Sequence, residues 1–196
     1  MTEDNRWLAE GGSTAGDAYD ARYEQRAAAG EEVHGEANFV ERFQPRSVLD
    51  AGCGTGRVGR ELARRGIEVA GVDIDEAMLG TARRKAPDVA WHLGDLASID
   101  LGRRFDAIVM AGNVMIFLAP GTQAAVLHNM ARHLEKDGAL IAGFQLMPRR
   151  LSIARYDELA AAAGLEPVER WSTWDADPWL EGGDYVVALH RLRPLS

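Results

Sequence analysis

The chain has 196 residues, 46% hydrophobic and 27% charged, which suits one globular domain with a sizeable core. A formal net charge of −8 argues against nucleic acid or an anionic membrane as the main partner, and no apolar run is long enough to span a bilayer. The lone Cys53 excludes an internal disulfide and a cysteine-based zinc site, and the start MTEDNRW lacks a charged-then-apolar leader, so a cytoplasmic location without a bound metal is expected.

Residues 1–13 are polar and glycine-rich and are expected to be loose. Residues 14–44 carry two short helices, DAYDARYEQRAAA and EEVHGEANFVERF, split by Gly30 and ended by Pro45. Beyond Pro45, short apolar runs alternate with helical stretches. SVLD (47–50) reads as a strand and GRVGRELARRG (56–66) as a helix that stops at Gly66. IEVAGVD (67–73) is a strand, DEAMLGTARRKA (75–86) a helix capped by Asp75, and VAWHL (89–93) a strand. FDAIVMA (105–111) is a near-continuous apolar strand, and TQAAVLHNMARHLEK (122–136) is an amphipathic helix. Asp137-Gly138 turns the chain into the buried strand ALIAGFQL, and RYDELAAAAG (155–164) is the last helix. LEPVERW and DYVVALHRL close the chain with no helix between them, so they form an antiparallel pair. This alternation predicts an α/β fold with a doubly wound, seven-stranded sheet, mostly parallel with an antiparallel C-terminal strand and helices on both faces. Pro45 divides the chain into an N-terminal helical segment, 1–45, and the sheet domain, 46–196.

In such a sheet, ligands bind at the carboxyl ends of the strands, where the strand order reverses. The first strand-to-helix turn is VLDAGCGTGRVG, residues 48–59. Its Gly54-x-Gly56-x-x-Gly59 formally matches a dinucleotide fingerprint. That fingerprint begins directly after the strand, whereas here Asp50-Ala51-Gly52-Cys53 intervene. Asp50 also puts a carboxylate where a pyrophosphate would lie. A ligand carrying a sulfonium and an ammonium group has the opposite preference.

Asp50-x-Gly52-x-Gly54-x-Gly56 after a strand resembles motif I of the class I S-adenosylmethionine-dependent methyltransferases. Asp73, in VDID, matches their acidic residue at the end of the second strand, and Asp95, in LGDL, the one after the third. FDAIVMAGN and KDGALIAGF resemble their fourth and fifth strands, so the resemblance covers residues 46–146. It implies a Rossmann-like fold, S-adenosylmethionine as cofactor and S-adenosylhomocysteine as product. It also implies residue roles. Ala51 and the main chain at Gly52, Gly54 and Gly56 meet the methionine moiety, and Asp50 orients its ammonium. Asp73 accepts from both ribose hydroxyls, Ile74 and Met78 flank the adenine, and Asp95 with the Leu96 amide reads its edge. The Ala111 carbonyl holds the amino group, and Asn113 lies between cofactor and acceptor. In similar enzymes the N-terminal helices form a lid, which assigns that role to residues 1–45 and puts Tyr19 against the cofactor; Tyr23 shares its helix face.

Other residues have plainer readings. Asp106 is expected to be structural and Cys53 to pack. His128 and His133 fall on the polar face of their helix and are expected in solvent, and His92 and His190 read as ordinary strand residues. His34 is the one histidine of the N-terminal segment able to overhang the site. Trp171, Trp174 and Trp179 bracket the last turn, as core cover or as the lining of an acceptor pocket. Arg149 and Arg150 follow the fifth strand, as acceptor contacts or as solvated cations. No convincing general base emerges, so no catalytic residue is assigned. The expected reaction is direct in-line methyl transfer to a small-molecule acceptor. The alternatives are a protein that binds S-adenosylmethionine without transferring methyl, and a nicotinamide-dependent oxidoreductase, which the position of Asp50 disfavours.

Overall fold

The computed structural model describes residues 5–9 and 16–193, the Tyr19 side chain excepted. Three helices come first: α1 (Arg6–Ala9), α2 (Gly16–Ala28) and α3 (Gly35–Glu41). The sheet domain then runs β1 (Ser47–Ala51), α4 (Arg57–Arg64), β2 (Glu68–Asp73), α5 (Glu76–Lys85), β3 (Ala90–Leu93) and β4 (Phe105–Met110). It continues with α6 (Val114–Phe117), α7 (Gln123–Arg132), β5 (Leu134–Gln145), α8 (Ile153–Ala162), β6 (Leu165–Trp171) and β7 (Tyr185–Leu192). The strands form one sheet in the order β3-β2-β1-β4-β5-β7-β6. β7 runs antiparallel to both neighbours, and the other pairings are parallel. The order reverses between β1 and β4, which opens a crevice at their C-terminal ends.

Strand residues alternate between two cores, as a two-residue repeat requires. Leu49, Ile108 and Leu140 pack with Leu127 and Met130 of α7 and Tyr156 of α8. Val48, Val109 and Ile141 pack on the opposite face with Phe39 and Val40 of α3 and Val58 and Leu62 of α4. Both faces being covered explains why β1 and β4 read as continuous apolar runs. The caps behave as the sequence implies: Asp75 Oδ1 accepts from the Ala77 and Met78 amides at the start of α5. Asp106 is structural, since its Oδ2 accepts from the Arg46 and Ser47 amides.

Four boundaries differ from the sequence reading. Within 1–13, residues 6–9 are helical: Asn5 Oδ1 accepts from the Trp7 amide at 3.0 Å and caps α1. The second N-terminal helix starts at Gly35 rather than Glu31, because Glu32 Oε1 takes the His34 amide at 2.6 Å and holds that stretch in a turn. The helix expected to reach residue 136 ends at Arg132, and β5 already begins at Leu134. There the Phe105 amide donates to the His133 carbonyl at 2.8 Å, and Leu134 stands opposite Phe105 with both side chains fully buried. Core burial of that pair overrides the helical periodicity of LEK. A further short helix, α6, follows Asn113.

The N-terminal helices dock through ion pairs and hydroxyl bonds. Asp17 on α2 accepts from Thr81 at 2.7 Å and Arg84 at 2.5 Å. Asp20, 1% exposed, accepts from Thr55, Arg60 and Lys85.

Candidate active site at the strand reversal

After β1, residues 52–56 turn the chain into α4. The Gly52 and Cys53 amides donate to the Val72 carbonyl of β2 at 2.8 and 3.0 Å. Gly52 has φ +80°, and a Cβ there would lie 2.4 Å from Val114 Cγ2. Only glycine satisfies both the backbone and the close approach. Asp50 is buried, and its Oδ2 accepts from the Gly59 amide at 2.9 Å, tying the end of β1 to the first turns of α4. Burial pushes its carboxyl up to about 7, against the opposing pull of the Gly59 amide and the Arg57 charge.

At the end of β2, Asp73 Oδ2 accepts from the Gly54 amide at 2.7 Å and Oδ1 from the Asp75 amide at 2.9 Å. Burial raises its pKa, and the two amides oppose that rise. Beyond β3, Asp95 Oδ1 accepts from the Ala97 amide at 2.9 Å. Each carboxylate is thus oriented by main chain within its own turn or the adjacent one.

These groups line one cavity of about 880 Å³, part of it open to solvent. Asp50, Gly52, Gly54, Asp73, Ile74, Met78, Asp95, Leu96 and Ala111 all contribute to its wall. Three other expected contacts stand outside it. Ala51 points into the core, and Gly56 lies beneath Trp91, where a Cβ would meet Cη2 at 2.5 Å. Asn113, at φ +68°, turns its Oδ1 to the Gln145 amide at 2.8 Å and pins the end of β4 to the end of β5. The Tyr19 side chain lies outside the described residues. Tyr23 does not reach the cavity, and its ring lies 4.3 Å from the Arg57 guanidinium.

Sequence reasoning missed part of the wall. Asn5 and Trp7 of the segment read as loose line it, as do Thr55 and Arg57 and the apolar run Val114, Phe117 and Leu118. Trp7 Nε1 donates to Asp75 Oδ2 at 3.0 Å on one side of the cavity. On the other side its ring meets Phe117 edge-on at 5.6 Å, and Arg6 donates to the Ile116 carbonyl. α1 therefore bridges the cavity from α5 to α6. A tryptophan in an otherwise polar stretch was the available signal. Arg57 had one too: a cation in the first turn of a helix opposes the macrodipole and needs a reason. Its reason is Glu36, which its Nη1 and Nη2 engage bidentately, Nη1 to Oε2 at 2.9 Å, with the Val33 carbonyl also bound.

The remaining residues fall elsewhere. Trp171 and Trp174 pack edge-on against Phe39 and cover the core beneath α3, and Trp179 packs on the other core. Arg149 is exposed and Arg150 half-buried; neither lines the cavity. His128 and His92 are exposed. His133 is not solvated: it is 4% exposed, with Nδ1 on the Asn129 carbonyl and Nε2 accepting from the Leu101 amide. The end of α7 faces the 96–101 loop, and that loop covers it. His190 is fully buried against Tyr156. His34 lines a separate groove between α2 and α4. Cys53 is buried with Leu79, Ala82 and Trp91 and, alone among these residues, also borders the cavity. Among the described residues no group of histidine, cysteine and acidic side chains could hold a metal ion.

A backbone cradle flanked by three carboxylates suits a ligand with cationic groups, a diol and an amino-substituted ring. Asp73 illustrates the fit: each oxygen accepts one amide and keeps a second acceptor position, a spacing suited to vicinal hydroxyls. S-adenosylmethionine has these features.

Comparison with known proteins agrees. A family described as "Methyltransferase domain" matches residues 48–138. A dTDP-3-amino-3,6-dideoxy-alpha-D-glucopyranose N,N-dimethyltransferase from Streptomyces fradiae is 36% identical over 119 residues, covering 57% of this chain and 47% of that protein. The chain spans about half the length of the curated relatives it matches. The crystal structure of a TehB-like SAM-dependent methyltransferase from Corynebacterium glutamicum is 35% identical, with a TM-score of 0.84 over 91% of this chain and 98% of that one. SAM-bound CalS10, an amino pentose methyltransferase from Micromonospora echinaspora, is 25% identical, with a TM-score of 0.73 over 88% and 96%. With 98% of a 35%-identical SAM-dependent methyltransferase covered, the chain belongs to the S-adenosylmethionine-dependent methyltransferases.

Proposed function

We propose that this chain transfers the methyl group of S-adenosylmethionine to a small-molecule acceptor by in-line displacement. The observation that carries the reading is the convergence of Asp50, Asp73, Asp95 and the Gly52–Gly54 backbone on one cavity at the strand reversal. Asp73 takes the two ribose hydroxyls on its remaining acceptor positions. Ile74 and Met78 flank the adenine, and Asp95 with the Leu96 amide reads its edge. Asp50 and the Ala111 carbonyl face the ammonium, and Arg57 faces the α-carboxylate. The cofactor supplies a methyl carbon already activated by its sulfonium charge. The chain's own contribution is alignment, worth about 7–11 kcal/mol in well-oriented cases, and exclusion of water.

Residues 1–45 act as a cover in this reading, with α1 strapped across the cavity by Trp7. The acceptor is a small molecule, as it is for the amino-sugar methyltransferases among the relatives. The reading includes a cytoplasmic location and no nucleic-acid partner, in keeping with the net charge of −8. Among the described residues no helix is long and apolar enough to cross a membrane.

The test is calorimetric titration of S-adenosylhomocysteine into wild type, followed by assay of its formation from S-adenosylmethionine over a panel of small acceptors. Binding with turnover is expected. Binding without turnover on any acceptor marks a protein that holds the cofactor for another purpose.

A further inference from the structure

We propose that Glu36 is the acceptor-contacting carboxylate of this site and that the acceptor nucleophile is an amine; the inference rests on the methyltransferase reading above. Glu36 stands in the first turn of α3, and its carboxylate is joined bidentately to Arg57 in the first turn of α4, with only 16% and 12% of the two side chains exposed. Arg57 also forms part of the cofactor cavity wall, so Glu36 stands directly behind that wall.

Aromatic groups surround the pair. Tyr23 lies against the guanidinium. Tyr185 opens β7 opposite Gln145, at the C-terminal end of β5. Its Oη accepts from Trp174 Nε1 at 2.9 Å. Burial, opposed by that donation and reinforced by the Glu36 charge, pushes the phenol up to about 12, so it keeps its proton at neutral pH. Gly143 makes room for this group: a Cβ there would lie 2.3 Å from Trp174 Cζ2 and 2.8 Å from Tyr185 Oη. Glu36, Tyr23, Tyr185 and Trp174 therefore gather near the C-terminal end of β5 and the start of β7, on the side of the cavity where Arg57 forms the wall.

Glu36 differs from the other acids near the cavity. Asp50, Asp73, Asp75 and Asp95 each orient themselves on backbone amides, whereas Glu36 is held by a side-chain cation. That cation has a second suitor. The α-carboxylate of the bound cofactor is an anion facing Arg57, and it loosens Arg57's hold on Glu36. A carboxylate released beside aromatic rings suits an amine in two ways. It accepts an amine N–H and so aims the nitrogen lone pair, and it stabilises positive charge that grows on nitrogen during transfer. The aromatic faces add cation–π attraction. As the nitrogen lone pair forms the new N–C bond, the C–S pair returns to sulfur and the positive charge moves from sulfur to nitrogen, beside Glu36. An alcohol or thiol can also donate to Glu36, but its product is neutral once its proton leaves, so it lacks the lasting charge stabilisation that an alkylammonium product receives there.

The experiment uses the full chain saturated with S-adenosylhomocysteine. A panel of small primary and secondary amines is titrated in, each beside the alcohol and thiol of the same skeleton, for wild type, Glu36→Gln and Glu36→Asp. Wild type should bind amines in preference to their counterparts. Glu36→Gln should lose about tenfold or more in amine affinity, as expected for a lost charged hydrogen bond. Its affinity for S-adenosylhomocysteine should be unchanged or tighter, because Arg57 is released toward the cofactor. A residue that only braced α3 against α4 would weaken both. Glu36→Asp keeps the charge and serves where the glutamine variant does not fold; it should retain the amine preference. Three results overturn the proposal: no amine binding by wild type, alcohols or thiols bound as well as amines, or amine affinity unaltered in Glu36→Gln. Failure of wild type to bind S-adenosylhomocysteine strikes the methyltransferase reading itself.

Discussion

The cavity wall and the helices packed beside it are held by different kinds of contact. Around β1, β2 and α5, carboxylates orient themselves on backbone amides: Asp50 on Gly59, Asp73 on Gly54 and Asp75, Asp75 on Ala77 and Met78. Along α2, α3 and α4, side chains pair with side chains far away in the chain: Glu36 with Arg57, Asp20 with Arg60 and Lys85, Asp17 with Thr81 and Arg84. Main-chain contacts follow from the turn itself and need no second helix in place. Ion pairs between helices are weakened by salt where they are exposed, and they exchange partners when a competing charge arrives. In the reading proposed above, the cofactor side is therefore built to be preformed, and the region proposed for the acceptor to adjust.

The largest effect expected on the preformed side concerns Asp50. Its folded-state carboxyl is raised from 3.8 to about 7, so the native state holds that proton more tightly than the unfolded chain does. The contribution is fully present below about pH 4 and is lost as pH climbs to about pH 7, on the order of 4 kcal/mol. Asp50→Asn cannot ionise. The melting temperature of the variant minus that of wild type should therefore grow more positive from about pH 5 to about pH 7.5; a flat difference means that Asp50 is charged throughout. Next, Asp73→Ala should weaken binding of S-adenosylhomocysteine by about 2–3 kcal/mol, roughly 30- to 150-fold. Unaltered affinity in a folded variant removes the ribose from this carboxylate.

Gly52→Ala should lower stability by about 1–3 kcal/mol, since the added Cβ meets both a positive φ and Val114. It should also weaken cofactor binding, because Val114 and Gly52 share the wall. On the other side, Trp174→Phe should cost about 1 kcal/mol through the lost bond to Tyr185, with affinity for S-adenosylhomocysteine unchanged. A matching loss of cofactor affinity would show that the two sides are not separable. The smallest effect belongs to the exposed Arg103–Glu68 pair, where Arg103→Ala should move stability by less than about 1 kcal/mol.

The same contrast decides what the sequence could disclose. Asp50, Gly52, Gly54 and Asp73 were legible because their partners lie within the same turn or on the adjoining strand, and the motif encodes the geometry. Arg57 and Glu36 were not, because 21 residues separate them, and the misplaced cation on α4 signals only that it has a partner, not which one. Trp7 was hidden for the same reason, since its partners Asp75 and Phe117 lie far along the chain. The strands were legible from apolar runs buried on two faces. The end of α7 was not, because LEK fits a helix and only the burial of Leu134 against Phe105 makes it strand. His133 failed likewise: its helix face is polar in sequence, and the 96–101 loop that covers it belongs to another element.

The most direct test of the account is a thermal-shift comparison of S-adenosylhomocysteine, S-adenosylmethionine and NAD on ligand-free protein. At about a hundred times its dissociation constant a ligand adds roughly 2.7 kcal/mol, or about 5–11 °C for a domain of this size. The account predicts that shift with the two adenosyl ligands and none with NAD. A shift with NAD alone would contradict it, and would make Gly54-x-Gly56-x-x-Gly59 the functional motif after all.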